Sequence, residues 1–370
     1  MKKILFLIPN LGGGGAERVL VNLVNNLDKS KYDVTVRTLF KSDVNAKYLN
    51  GDVKYIEGKL KQFRGNIHVL KLFSPKLLYK FFIKGKYDIV ISYLEGPTAR
   101  IVAGCQNSDT KTVSWIHVEQ DGEEALAHSF RSLKEAQDCY KSYDITVCVA
   151  DTVKQNFLSL VDVNNCIVLY NTNETDKILR LADKPVDETF SNDINVFSVG
   201  RLMPQKGYDR LIKVHKKLID EGIKHHIYIL GTGDEQEKLS QIIKENNICD
   251  TFQLLGFTDN PYKYVKSADV FVCSSRREGF STAVTESLIV GTPVVSTNCS
   301  GAYELLGDNN EYGIVTENSE EGIYIGLKQM LCDKDLRDNY AKQAKIRGKK
   351  FSTEKTVAAV EEMFESLYND

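Results

Sequence analysis

A chain of 370 residues is long enough for about two domains, each able to bury its own core. With 42% hydrophobic and 26% charged residues it has an ordinary globular composition, and a formal net charge of −2 excludes a general nucleic-acid binder, which carries a strong basic excess. No stretch approaches the roughly 18 to 20 apolar residues that cross a bilayer, and the eight cysteines form no C-x-x-C pair or histidine-spaced cluster, so reduced thiols in a cytoplasmic protein without a zinc site are expected.

The opening residues, MKKILFLIPN, carry two lysines before an apolar run, as a secretory leader does. The run breaks at Pro9 and meets four glycines, Gly12 to Gly15, so it reads instead as a first strand over 3–9. A tight loop and a helix over 16–27 follow, with Val19, Leu20, Leu23, Val24 and Leu27 on one face, and then a strand over 33–40. Glycines after a first strand suggest a dinucleotide site. Here G-x-G-x-x-G is left incomplete by Ala16 and Glu17, and the second strand ends without the acidic residue that would hold a ribose.

Between Lys59 and Lys86 stand eight lysines and arginines and no acid, interleaved with Phe63, Leu70, Leu72, Phe73, Leu77, Leu78, Tyr79, Phe81 and Phe82. Two readings fit: a surface that lies on anionic lipid headgroups, and a solvated helix face over the core. Strands are expected over 88–92 and 112–117, the latter ending in Trp115-Ile116-His117, and further strands over 144–149 and 167–170. His117 falls at a strand's carboxyl end, where open α/β sheets present ligand groups. The polar stretch 172–192, with Pro185 and several acids, reads as the connection to a second domain.

The second domain starts with a strand over 195–199, then Gly200-Arg201-Leu202-Met203-Pro204-Gln205-Lys206-Gly207 and a helix over 208–218. Arg201 offers a planar fork of donors and Lys206 a point charge, a pair suited to a diphosphate. Strands over 226–230, 252–256 and 294–297, and helices through most of 317–370, complete the pattern. Asp333-Lys334-Asp335 reads as a helix start rather than a metal site, because carboxylates suit a first turn.

The densest chemistry lies in Arg276 to Glu286, RREGFSTAVTE, after a buried strand over 269–273. Ser281 or Thr282 caps a helix that Gly291 and Pro293 end. Its start gathers unpaired N–H groups and the positive end of the macrodipole, so the amides of Ser281, Thr282 and Ala283 suit an anion. Glu278, on the loop, and Glu286, one turn into the helix, suit ligand hydroxyls rather than phosphate.

In order, Gly14-Gly15-Ala16-Glu17-Arg18, Trp-Ile-His, G-R-x-x-x-x-K-G and the glutamates seven residues apart resemble the retaining glycosyltransferases of family 4 over nearly the whole chain. The resemblance implies an α/β protein of the GT-B class, two Rossmann-like doubly wound domains facing a central cleft. Residues 1–171 would form the acceptor-side domain, completed by a helix over about 353–370; 172–192 would be the linker and 193–352 the nucleotide-sugar domain. It implies transfer of a sugar from a nucleoside diphosphate sugar, UDP ranking before GDP on family frequency, to a lipid-linked or cell-surface glycan precursor, with neither metal nor further cofactor. The site it implies places Arg201 and Lys206 on the diphosphate, Glu278 and His117 on the sugar, and Glu286 on the ribose. Gly14 and Gly15 would approach the donor, Phe257 the base, and Phe280 with Ser281, Thr282 and Ala283 would complete the donor pocket. The family usually has proline or glycine after the equivalent of Tyr170-Asn171, where this chain has Thr172. Two other classes share such a scaffold: a sugar-nucleotide epimerase, which needs no acceptor, and a non-catalytic partner subunit, which binds donor poorly.

Overall fold

The computed structural model of the protein describes residues 1–41, 44–60, 66–186, 188 and 190–368. They form two compact units, Met1–Asn173 with Thr353–Asp370, and Glu174–Ser352. Each contains one wholly parallel sheet.

In the first unit the strands are β1 (Lys2–Ile8), β2 (Tyr32–Thr38), β3 (Lys54–Ile56), β4 (Ile89–Ser92), β5 (Lys111–Ile116), β6 (Ile145–Cys148) and β7 (Cys166–Val168). Their order is β3-β2-β1-β4-β5-β6-β7, so the chain reverses its winding between β1 and β4. Ile4 of β1 pairs with Val34 on one side and Ile89 on the other, and β1 is buried from Ile4 to Ile8, the continuous apolar run of a strand covered on both faces. The helix Thr353–Ser366 belongs to this unit. Phe364 meets Phe6 and Tyr32 edge-on at 6.4 and 5.5 Å, and Glu365 accepts from Tyr32 Oη at 2.8 Å.

The basic stretch folds into short helices, Asn66–Lys71 and Pro75–Phe82; its residues 61–65, Phe63 included, lie outside the described residues. Leu78 and Phe82 turn into the core, whereas Leu72, Phe73, Leu77 and Phe81 stay exposed, beside the exposed lysines at 76, 80, 84 and 86. Two arginines fasten this surface, Arg100 from within and Arg131 from its exposed side. Arg100, only 1% exposed, donates to the carbonyls of Leu70 and Phe73 at 3.0 and 2.8 Å, and Arg131 to those of Lys71 and Leu72 at 2.6 and 3.0 Å. Glu135 holds both arginines, accepting from the Arg100 guanidinium and the Arg131 backbone N–H.

In the second unit β8 (Ile194–Val199), β9 (His225–Leu230), β10 (Phe252–Gly256), β11 (Val270–Cys273), β12 (Val294–Thr297) and β13 (Ile314–Thr316) take the order β10-β9-β8-β11-β12-β13. The reversal falls between β8 and β11, so their following loops open side by side at the sheet's carboxyl edge. The stretch expected to be a connection departs from that reading. Thr172 and Asn173 are buried in the first unit, and Thr175–Ala182 is a helix packed in the second, because Ile178 and Ala182 supply one apolar stripe at four-residue spacing. The edge strands β3 and β13, three residues each, had no visible period in the sequence. All eight cysteines are free thiols, five of them buried. Asp333 caps the helix Lys334–Gly348, accepting from Leu336 N at 2.9 Å.

Behind β9 lies a buried polar chain. His225 Nδ1 is 2.8 Å from the Ile223 carbonyl and must donate to it; its Nε2 then accepts from His215 Nδ1 at 2.8 Å, and His215 Nε2 accepts from Thr251 Oγ1 at 2.9 Å. Both rings are neutral. Burial, reinforced by the nearby His225 and His226 rings, pushes the His215 pKa from 6.5 to about 2, and burial likewise lowers that of His225 against the opposing hydrogen bond to Ile223. Because the folded values lie below the unfolded one, the stabilisation is complete above pH 6.5 and drains as pH falls below it. Urea unfolding between pH 7 and 5 is expected to show a loss approaching roughly 1.4 kcal/mol per pH unit from His215, with a further loss of the same sign from His225. The His215→Gln, His225→Gln double variant should be flatter, and parallel curves for the two proteins would refute the account.

Candidate active site

The site of the second unit grows from the two loops at the β8/β11 reversal. The β8 loop runs from Gly200 to Lys206 and ends at Gly207, which is left-handed at φ 66° and caps the helix Tyr208–Asp220. A side chain at 207 would be strained, and it would strike the Ser274 carbonyl of the neighbouring loop. Gly200 is small for a different reason: a Cβ there would sit 2.8 Å from Tyr208 Oη and 3.2 Å from Lys206 Cε.

The loops are stitched by charge. Arg276 binds Asp209 with two bonds of 2.7 Å and also donates to the Pro204 carbonyl, while its backbone N–H donates to Gln205 O at 2.7 Å. The Arg276 hydrogen bonds hold the Asp209 carboxyl below its usual range against the opposing effect of burial. Underneath, Arg210 is 5% exposed and donates to the carbonyls of Ser274 and Ser275 and to Asn318.

Onto this frame the helix Thr282–Val290 is set. Ser281 is its cap, with Oγ accepting from Val284 N, which leaves the amides of Thr282 and Ala283 at its open end; Gly291 terminates it in the left-handed conformation. Lys206 Nζ donates to Glu278 Oε1 at 2.7 Å, and Ser275 Oγ to the same oxygen at 2.5 Å. Burial alone would lower the Lys206 pKa; the adjoining Glu278 carboxylate outweighs it and raises the value, so the ammonium is firmly charged. Ser198, Lys206, Ser275, Glu278, Ser281 and Ala283 line one small cavity. Cation, carboxylate and helix start therefore meet in one place.

The other expected residues of this unit lie further out. Arg201 is exposed, and its guanidinium has no partner among the described residues. Glu286 is half-buried and accepts from Tyr262 Oη at 3.3 Å. Phe257, after β10, is 73% exposed. The Phe280 ring is 5% exposed and packs edge-on against Phe351 at 5.7 Å.

In the first unit, the glycine loop and His117 follow the carboxyl ends of β1 and β5. Gly14 caps the helix Gly15–Asn26, and Arg18 stacks on the Tyr48 ring at 4.2 Å. His117 is 6% exposed, tilted against Tyr93 at 4.9 Å, and its backbone N–H donates to Glu95 at 3.0 Å. Burial pushes its pKa down to about 3, against a hydrogen bond with the Tyr93 backbone, and Nε2 is buried with no partner among the described residues. A neutral imidazole with an unsatisfied nitrogen results.

Sequence reasoning missed Ser275, Arg210 and the Arg276–Asp209 pair. Serines beside a charged run look solvated, and no linear spacing shows that Arg210 reaches a loop 64 residues away.

Known proteins agree with this architecture. The profile described as "Glycosyltransferase Family 4" matches residues 13–177, and that described as "Glycosyl transferases group 1" matches 180–347. The chain is 30% identical over 95% of its length, and 96% of the relative's, to the N-acetylgalactosamine-N,N'-diacetylbacillosaminyl-diphospho-undecaprenol 4-alpha-N-acetylgalactosaminyltransferase of Campylobacter jejuni. It is 25% identical to the amylovoran biosynthesis glycosyltransferase AmsD of Erwinia amylovora, over 93% of this chain and 94% of that one. Among solved structures, HepE of Anabaena in complex with UDP and glucose superposes with a TM-score of 0.78 at 17% identity, covering 99% of this chain and all (100%) of that one. Sucrose-phosphate synthase of Thermosynechococcus elongatus does so at 0.80 and 15% identity, each chain being covered completely (100%). With its paired parallel-sheet units, its ordered motifs and this full-length relative, the chain belongs to glycosyltransferase family 4 and is a glycosyltransferase of the GT-B fold class.

Proposed function

We propose that the protein is a retaining enzyme that moves a sugar from a nucleoside diphosphate sugar, a UDP-sugar first, to a hydroxyl of a lipid-linked or cell-surface glycan precursor. The observation that carries this is the convergence of Lys206, Glu278 and the open start of the helix Thr282–Val290. Such a place rewards charge that appears on a diphosphate as the anomeric C–O bond breaks, its electron pair passing to the leaving oxygen, while the acceptor hydroxyl oxygen bonds to the same carbon and gives up its proton to the departing diphosphate. Lys206, the exposed Arg201 and the amides of Ser281, Thr282 and Ala283 receive that charge, the work a divalent cation would otherwise do.

Glu278 orients the sugar ring and Glu286 the ribose, while Phe257 offers an exposed face to the base. His117 Nε2 accepts from a sugar hydroxyl, and Gly14 and Gly15 let the backbone approach the donor. Support for UDP comes from HepE, solved with UDP and glucose. Support for a lipid-linked acceptor comes from the Campylobacter enzyme, named for a diphospho-undecaprenol substrate.

Lys206→Ala is expected to lower kcat by at least about a hundredfold with an unchanged circular-dichroism spectrum; turnover near wild type would remove its diphosphate role. Glu286→Ala should raise the KM for donor by about tenfold, the value of one hydrogen bond to a charged group, with kcat changed much less. An unaltered donor KM would retire the ribose assignment.

The second part of the reading places the protein against a membrane. No described helix is long and apolar enough to span one. The surface within 59–86 instead offers Leu72, Phe73, Leu77 and Phe81 flanked by lysines, a composition suited to the boundary between acyl chains and anionic headgroups. Flotation with phosphatidylglycerol-containing vesicles should recover the protein, and Leu77→Asp with Phe81→Asp should cut the bound fraction by about tenfold. Equal recovery of both proteins would rule this surface out.

A further inference from the structure

The two oxygens of Glu278 are treated unequally. Oε1 accepts from Ser275 Oγ at 2.5 Å and from Lys206 Nζ at 2.7 Å, with Cys273 Sγ 3.9 Å away, whereas Oε2 has no partner among the described residues. Two donors arriving at one oxygen from different chain segments fix the rotation of the carboxylate plane and leave the other oxygen for a ligand. Ser275 is itself immobilised. It is 2% exposed, and its carbonyl accepts from Arg210 Nη2 at 2.7 Å, Thr297 Oγ1 at 2.6 Å and Cys299 Sγ at 3.0 Å.

We infer that Ser275 is a positioning residue: it holds Glu278 Oε1 so that Oε2 is presented to the donor sugar. The inference rests on the glycosyl-transfer reading above and adds a requirement to it. Lys206 has two demands upon it, the Glu278 oxygen and the diphosphate. As its ammonium turns toward the leaving group its hold on Oε1 weakens, and Ser275 becomes the strong donor that keeps the carboxylate aimed during bond breaking. A serine suits this task, since its single proton goes to Oε1 and it carries no charge to compete for the diphosphate.

The test is a double-mutant cycle on the whole protein, using whichever member of a panel of UDP- and GDP-sugars the wild type turns over. Ser275→Ala is expected to lower kcat by about tenfold or more while donor KM stays within about twofold. In a Glu278→Ala background the same change should cost less than about twofold, because a residue acting only through the Glu278 carboxylate has nothing left to position. Equal losses in both backgrounds, or no loss in either, overturn the inference. Crystal structures without ligand decide the matter independently of turnover: in Lys206→Met alone Ser275 should keep Glu278 in its single conformation, in Lys206→Met with Ser275→Ala the carboxylate should leave it, and a carboxylate placed alike in both refutes the role of Ser275. A wild type inactive on every sugar nucleotide would instead count against the glycosyl-transfer reading, with the crystallographic result still standing.

Discussion

The site of the second unit depends on how the protein satisfies carbonyl groups at the end of β11. A loop leaving a buried strand points backbone oxygens into a space where water is excluded, and each unpaired one costs about 1 to 3 kcal/mol. Arg210 answers for two of them, Ser274 and Ser275, and reaches on to Asn318. Its guanidinium is a rigid fork, so satisfying those oxygens also fixes where the following residues go. The placing of Glu278, and of the helix start after it, follows from a loop that has only one way to be paired.

The first unit uses the same device at its surface. Arg100 and Arg131 take four successive carbonyls, from Leu70 to Phe73, and share Glu135 as their counter-charge. There the pairing holds apolar side chains outward instead of holding a carboxylate inward. In both units a buried arginine converts an irregular segment into a defined surface, and neither example has a signature in the linear sequence, because carbonyl acceptors have none.

What could be read from the sequence is what local chemistry dictates. The strands β1, β5, β8 and β11 were visible as apolar runs, and the helix start at Ser281 from a capping residue followed by an apolar stretch with Gly291 beyond it. Lys206 and Glu278 were both expected in the site. Their direct pairing was not, since the 72 residues between them meet only through the β8-β11 adjacency. The burial of Phe280 was hidden for a related reason: a motif ranks a residue by its neighbours in the chain, whereas this ring packs against Phe351. The helix within 172–192 was obscured by its acids, although Ile178 and Ala182 already marked its inner face.

The helix Thr353–Ser366 has a temporal consequence. Val357, Val360, Met363 and Phe364 are buried in a unit whose remaining residues end at Asn173. Thr353 donates to the Asn173 carbonyl across 180 positions of sequence. At a translation rate of roughly 5 to 20 residues per second, the nascent first unit waits on the order of ten to forty seconds for its last layer, with the ring edges of Phe6 and Tyr32 uncovered. During that interval the ribosome is making the whole of the second unit. Completion of the earlier-made half is thus postponed until after the later-made half, and an uncovered parallel sheet is the species a chaperone would meet.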